Sequence, residues 1–291
     1  MTDPVMVYSE PLDRGALALV ELALAEDIGN GDITTISTIP ADRQATGRLL
    51  VKGSGVISGL AVVAAVYRAV DARVVVTTLV EDGTAVEYGA IAATVAGPAR
   101  ALLSGERTAL NFLQRLSGVA TVTREYVEAV AGTRARIIDT RKTTPGMRTL
   151  QKAAIRHGGG HNHRLGLADG ILIKDNHLAA IGSDDRIARA IQAARERAPH
   201  TLRVECEVTS LAELEQALTA GADVVLLDNM DTSTMAEAVR QTNGLALLEA
   251  SGGITLATIR AIAETGVDLI SVGALTHSAP ALDISLEFDL S

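Results

Sequence analysis

The sequence has a single cysteine, Cys206, no tryptophan and only 2% aromatic residues. One thiol can form neither an internal disulfide nor a zinc cluster, and so few rings leave little surface for stacking bases. No apolar run reaches the roughly 18 residues that a membrane span needs. The opening MTDPVMVYSEPLDR also lacks the basic-then-apolar order of a signal peptide. A soluble, cytoplasmic protein is expected. Positive charge is scarce too: the formal net charge is -9, whereas nucleic-acid binding favours a broad basic surface. What is present is a chain of 291 residues, 47% hydrophobic and 21% charged, enough for one large core or two modest ones, and two domains are expected. Cys206 lies within RVECEV, a strand pattern in which a small buried thiol is expected rather than a nucleophile.

Against this acidic background stands a cationic island, RARIIDTRKTTPGMRTLQKAAIRHGGGHNHRLGLADGILIKDNH. Between Arg134 and Asp175 it holds nine Lys or Arg and three Asp, a local surplus of six, and four of the six histidines fall in the island as a whole: His157, His161, His163 and His177. Concentrated positive charge in an acidic protein points to a small polyanion held at one place. Arg141 and Lys142 supply a planar fork and a compact point charge side by side, which suits a ligand with two kinds of anionic group. Gly158, Gly159 and Gly160 allow a sharp turn or a close backbone approach before His161 to Arg164. The plainer reading is a solvated basic helix followed by a flexible loop. It is the expectation for Arg148, Lys152 and Arg156, spaced four apart on a helical stretch.

Taken in order, residues 11–28 read as an amphipathic helix closed by Gly29. ATGRLLVK reads as a strand, GLAVVAAVYRAV as a helix, ARVVVTTLV as a strand and EDGTAVEYGA as a turn between strands. This first module shows no catalytic cluster. Pro98 opens a long helical pattern that connects it to the second domain. From Arg136 a strand-then-helix unit repeats, with strands expected at 135–139, 170–174, 203–208, 223–228, 245–251 and 268–273. The starts of the last four lie about twenty residues apart, the spacing of βα units in a parallel sheet or barrel.

Parallel strands gather their C-terminal ends on one face, where barrel enzymes place their sites. The residues at those ends are Asp139, Arg141, Lys142, Lys174, Glu207, Asp228, Ser251, Gly252, Gly253 and Gly273. SGG and GALTH offer backbone amides suited to phosphate, or only the small residues that a βα turn needs. Glu207 and Asp228 share a hydrated divalent cation in one reading and balance the basic island in another. Glu205 alternates with Glu207 on one strand face, and their division of labour stays open. Lys174 is also placed for Schiff-base chemistry, as in aldolases.

GERTALNFLQRLSG, DTRKTTPG, GGGHNHRLGL, IKDNH, RVECEV, LLDN, EASGGI and SVGALTHSAPALDISL, in that order over almost the whole chain, resemble quinolinate phosphoribosyltransferase. The resemblance implies an α/β protein in which an N-terminal α/β sandwich domain (1–117) precedes an incomplete, open parallel α/β barrel (118–275). A C-terminal tail (276–291) returns to the first domain. It implies transfer of phosphoribosyl from phosphoribosyl pyrophosphate to quinolinate, giving nicotinate mononucleotide, pyrophosphate and CO₂ with Mg²⁺, in NAD biosynthesis. It assigns quinolinate to Arg107, Arg141, His163, Arg164 and Lys174, with Arg107 arriving from the partner of a homodimer. Phosphoribosyl pyrophosphate falls to Lys142, Glu207, Asp228, Ser251, Gly252, Gly253, Gly273 and His277. Lys142, Glu207 and Asp228 are the catalytic set, and Glu207 and Asp228 hold the Mg²⁺ directly or through water. A related enzyme with another acceptor, an aldolase and a non-catalytic phosphosugar binder are the alternatives.

Overall fold

The computed structural model describes residues 12–288. The start of the chain, on which the leader expectation rests, and the last three residues of the expected tail lie outside them. Two compact units form: 1–124 with 143–159 and 274–291, and 125–142 with 160–273.

The first unit opens with α1 (Arg14–Ile28), whose Asp13 side chain accepts from the Ala16 amide, and α2 (Ile33–Thr38), capped in the same way by Asp32. Such caps satisfy amides that the first helical turn leaves unpaired. Then come β1 (Gln44–Val51), β2 (Gly55–Val56), α3 (Leu60–Val70), β3 (Val75–Thr78), β4 (Ala85–Val86), β5 (Ile91–Pro98) and α4 (Ala99–Ala129). The division between units falls within α4. After it come β6 (Arg136–Ile138) of the second unit and α5 (Arg148–His157) of the first. The second unit continues with β7 (Ile171–Ile173), α6 (Asp175–Ile181), α7 (Arg186–Arg197), β8 (Val204–Val208) and α8 (Leu211–Thr219). Next are β9 (Val224–Asp228), α9 (Thr232–Thr242), β10 (Leu247–Ser251), α10 (Ile259–Glu264) and β11 (Leu269–Ser271). The chain returns to the first unit with α11 (Ala274–His277) and β12 (Ile284–Phe288).

In the first unit, four strands pair antiparallel in the order β12-β1-β5-β3. β5 is a strand that the sequence reading did not single out. Its run IAATVAGP is short of bulky side chains, so periodicity says little there, yet it pairs on both sides and Ala92, Ala93 and Val95 are fully buried. α5 corrects the solvated-helix expectation. Arg156 is exposed, but Lys152 is buried together with Leu150, Gln151, Ala154 and Ile155. Cations spaced by four lie near one helix face, so the spacing does not say which of them packing covers.

In the second unit, six strands run parallel in the order β6-β11-β10-β9-β8-β7. β6 and β7, consecutive in the chain, occupy the two ends of that order, which makes an open α/β barrel. The central strands are buried almost throughout, as VVLLD and LLEAS show, in keeping with parallel strands covered on both faces. α7 packs on α8, α8 on α9 and α9 on α10.

Candidate active site

At the C-terminal ends of these strands the second unit gathers its charges. Past β6, the Lys142 amide donates to Thr140 Oγ1 at 3.0 Å, a turn that leaves Arg141 and Lys142 both exposed. Arg164 is held more firmly. Its amide donates to His163 Nδ1 at 2.6 Å and its Nη1 donates to the Gly170 carbonyl at 2.9 Å, while its buried Nε has no partner among the described residues. The Asp169 carboxylate closes this loop by accepting from the Leu165 and Gly166 amides. Burial and, after it, the neighbouring Arg141 charge pull Arg164 below its ordinary value. Two guanidinium groups whose charges act on each other, one with a desolvated and unused donor, suit an anion. Lys174 caps α6 and places Nζ 3.6 Å from Glu207 Oε2. With 46% of its side chain exposed, it lacks the desolvation that activates a Schiff-base lysine.

Glu205 and Glu207 divide as the sequence left open. Glu205 is buried, whereas Glu207, about 7 Å further toward the strand end, is half-buried beside Lys174. β8 and β9 are neighbours, and Ser251 stands in register with Asp228 across β9 and β10. Burial raises the Glu207 carboxyl above its ordinary value; Lys174 opposes this and the charge of Asp228 adds to it. The Asp228 carboxylate in turn accepts from Asn229 Nδ2 at 2.8 Å. Asn229 has φ 54°, and its amide donates to the Ser251 carbonyl at 3.0 Å. A Cβ on Gly252, itself at φ +100°, would lie 2.2 Å from Asn229 Oδ1. The bare glycine backbone is therefore what lets the acid-bearing turn and the SGG turn lie against one another.

Beneath the cations is a cluster that sequence reasoning only partly found. Asp139, fully buried, accepts from the His163 amide at 2.8 Å and from Asn162 Nδ2 at 2.8 Å. His163 Nε2 lies 3.1 Å from Glu205 Oε2 and 3.8 Å from Glu249 Oε2. Glu249 is 1% exposed. Burial, and next the charge of Glu205, hold its carboxyl well above the usual carboxylate range. Glu249 was missed because LALLEAS reads as an apolar run. The one available signal was a carboxylate at the same strand level as Glu207, in the second of two β strands flanking β9.

Arg107 and His277 belong to the first unit. Arg107 is exposed on α4 beside Glu106, and His277 ends α11 with Nδ1 2.6 Å from Ser278 Oγ. Gly253 has φ +59° and is exposed, while Gly273 lies between β11 and α11. Cys206 is buried, and burial pushes its thiol up to about 12, as a packed thiol in place of a nucleophile requires.

The model of the quinolinate phosphoribosyl transferase N-terminal domain matches residues 32–117, and that of the C-terminal domain matches residues 119–287. The chain is 46% identical over 276 residues to the nicotinate-nucleotide pyrophosphorylase [carboxylating] of Mycobacterium leprae, covering 92% of this chain and 95% of that one. It is 40% identical over 287 residues to a mitochondrial quinolinate phosphoribosyltransferase [decarboxylating] of Nicotiana tabacum, covering 93% and 81%. Among solved structures, the nicotinate-nucleotide pyrophosphorylase from Francisella tularensis superposes with a TM-score of 0.89 at 41% identity over 94% of this chain and 96% of that one. Matched over both domain models, with these relatives alike along nearly their full length, the chain belongs to the quinolinate phosphoribosyl transferase family.

Proposed function

We propose that this protein transfers phosphoribosyl from phosphoribosyl pyrophosphate to quinolinate with loss of CO₂, giving nicotinate mononucleotide and pyrophosphate for NAD biosynthesis. The observation that carries this reading is the receptor made by Arg141 and Arg164, with the buried Arg164 Nε unused among the described residues. Like charges brought together in a partly dry place call for a dianion, and quinolinate presents two adjacent carboxylates. Lys174 adds a third cation at the same strand ends, and Lys142 faces the diphosphate.

The chemistry follows from where charge develops. The bond from ribose C1 to the diphosphate oxygen breaks, the pyridine nitrogen supplies the electron pair for the new C1–N bond, and the cations stabilise the departing negative charge. The alkylated nitrogen is positive and stabilises the electron pair left on C2 when the 2-carboxylate departs as CO₂; a proton then adds to C2. The protein orients and neutralises, and no side chain forms a covalent intermediate. Orientation alone is worth roughly 7–11 kcal/mol in favourable cases. Glu207 and Asp228 fit Mg²⁺, since burial and mutual repulsion of two carboxylates on neighbouring strands are relieved by a divalent cation that keeps its waters. When bound, that ion supplies charge neutralisation at the leaving diphosphate. His163, Glu205 and Glu249 also converge, but an imidazole engaged with buried carboxylates suits Mg²⁺ poorly. Ser251, Gly252 and Gly253 present the 5′-phosphate end.

The reading extends to a cytoplasmic homodimer in which the partner subunit's Arg107 completes the receptor, supported by the exposure of Arg107 and by the prevalence of two-fold assembly. Mixing Arg107→Ala with Lys142→Ala subunits should then restore part of the activity; mixed dimers without recovery would contradict a shared site. The primary test is purified protein with Mg²⁺, phosphoribosyl pyrophosphate and either quinolinate or nicotinate. Nicotinate mononucleotide and CO₂ are expected from quinolinate alone. Product from nicotinate alone would refute the dicarboxylate receptor.

A further inference from the structure

The first unit buries one side-chain amide among the described residues, that of Gln151, fully covered on α5 in the company of Leu150, Ala154 and Ile155. An apolar side chain of the same size would fill that place at lower cost, because a buried amide must find partners for its own polar atoms. Gln151 finds three. Its Oε1 accepts from the Thr144 amide at 2.9 Å, and its Nε2 donates to Thr144 Oγ1 at 3.2 Å and to the Thr276 carbonyl at 3.3 Å. A backbone N–H only donates and a carbonyl only accepts, so these partners fix which way the Gln151 amide points. The same Thr276 carbonyl accepts from Arg115 Nη2 at 2.7 Å, and Arg115 Nη1 donates to the Ala279 carbonyl. One planar guanidinium on α4 therefore bridges carbonyls on either side of His277 and Ser278. All of these residues belong to the first unit.

α11 needs such help. It has four residues, too few to hold a helix by their own hydrogen bonds, and its last carbonyls have no partner within the helix. We propose that Gln151 and Arg115 are positioning residues, which together clamp the Thr276 carbonyl and so aim His277 at the 5′-phosphate of phosphoribosyl pyrophosphate. His277 is exposed, and its Nδ1 lies 2.6 Å from Ser278 Oγ. With Nδ1 engaged and the backbone held on both sides of the ring, Nε2 is the nitrogen that meets the phosphate. Loss of the clamp loosens this turn. Binding of phosphoribosyl pyrophosphate should then weaken, whereas the dicarboxylate receptor, built on Arg141 and Arg164 of the second unit, makes no use of the clamp.

This proposal rests on the functional reading above, and its test separates the two. Steady-state kinetics on wild-type protein come first; no turnover of quinolinate with phosphoribosyl pyrophosphate there defeats the functional reading itself. In the same unmutated protein, whatever its activity, the side-chain amide protons of Gln151 should exchange slowly with solvent in nitrogen-15 spectra; rapid exchange would overturn the clamp without any variant that has to fold. Given turnover, Gln151→Met keeps the volume and removes the donors. It should raise KM for phosphoribosyl pyrophosphate about fivefold, the change that one buried hydrogen bond implies, with kcat and KM for quinolinate within about twofold of wild type. Arg115→Lys keeps the charge but cannot span both carbonyls, and should raise the same KM about tenfold or more, as loss of a bond from a charged donor implies. His277→Ala should raise it as well. Adding Gln151→Met to His277→Ala should then change it by less than about twofold, because a residue that acts through His277 has nothing left to position. Equal losses for both substrates, additive losses in the double variant, or an unchanged KM for phosphoribosyl pyrophosphate in any single variant would overturn the proposal.

Discussion

The two units bury polar groups of different kinds. Among the described residues, the first buries hydroxyls and one amide, at Thr35, Ser58, Thr108, Ser117, Thr123, Thr276 and Gln151, along with Lys152. The second also buries two hydroxyls, Thr242 and Ser271, and adds three carboxylates, Asp139, Glu205 and Glu249. Hydroxyls settle on single backbone groups, near or far in the chain: Thr123 Oγ1 donates to the Val119 carbonyl at 2.7 Å and Ser117 Oγ accepts the Ser58 amide at 3.0 Å. Carboxylates need charged or donor partners brought from elsewhere in the chain, so a core that holds three of them is organised around something besides its own stability. The antiparallel unit is packed for stability and the parallel unit for charge placement.

That contrast can be broken most sharply at Arg164. Arg164→Ala should lower kcat/KM for quinolinate about a thousandfold, within the 2–5 kcal/mol that truncating a buried charged contact costs. KM for phosphoribosyl pyrophosphate should change little in the same steady-state assay. Stability in the first unit answers to shape instead. A Cβ on Gly118 would lie 1.9 Å from the Pro280 carbonyl oxygen, so Gly118→Ala should cost about 3 kcal/mol in urea unfolding; a variant as stable as wild type would show that the helix and the C-terminal segment slide apart freely. In the second unit the reverse holds at Glu249. Glu249→Leu removes a costly buried carboxyl and should leave stability unchanged or raise it by about 1 kcal/mol in urea unfolding. A large loss of stability would mean that the carboxylates hold the fold.

The pH dependence sharpens the same point. Because the Glu249 carboxyl titrates above its ordinary 4.5 in the folded protein, its contribution to stability is full below that ordinary value and is lost as pH rises through the folded one. The melting temperature of Glu249→Gln should therefore fall less than that of wild type as pH rises from about 4.5; parallel curves would deny Glu249 its raised value. The smallest effect is at Cys206, whose thiol is pushed up to about 12. Iodoacetamide at neutral pH should leave the native protein unlabelled and add one group after unfolding.

Much of this was legible before any coordinates. The six parallel strands stand out because each is a short apolar run bounded by turn residues, and the residues ending them name most of the site. β5 was not legible, since its alanines and glycine carry neither a helical nor an alternating signature. Nor was the fate of Lys152: one helix gives three cations at four-residue spacing, and only packing decides which is buried. Glu205 and Glu207 share a strand face, so the alternation that places them together cannot tell which lies deep and which lies at the mouth.

By itself, the sequence determined the family, the order of strands and helices along the chain, and the list of charged groups at the strand ends. Those follow from local periodicity and from motifs, which are properties of neighbouring residues. The tertiary structure alone decided that β6 and β7 stand at opposite ends of the sheet order, and that Glu205 and Glu249 converge on one nitrogen of His163. The pairing of the C-terminal strand β12 with β1 was likewise its decision. Each of these joins residues far apart in the chain through strand register and depth in a core, quantities that exist only once the sheets have closed.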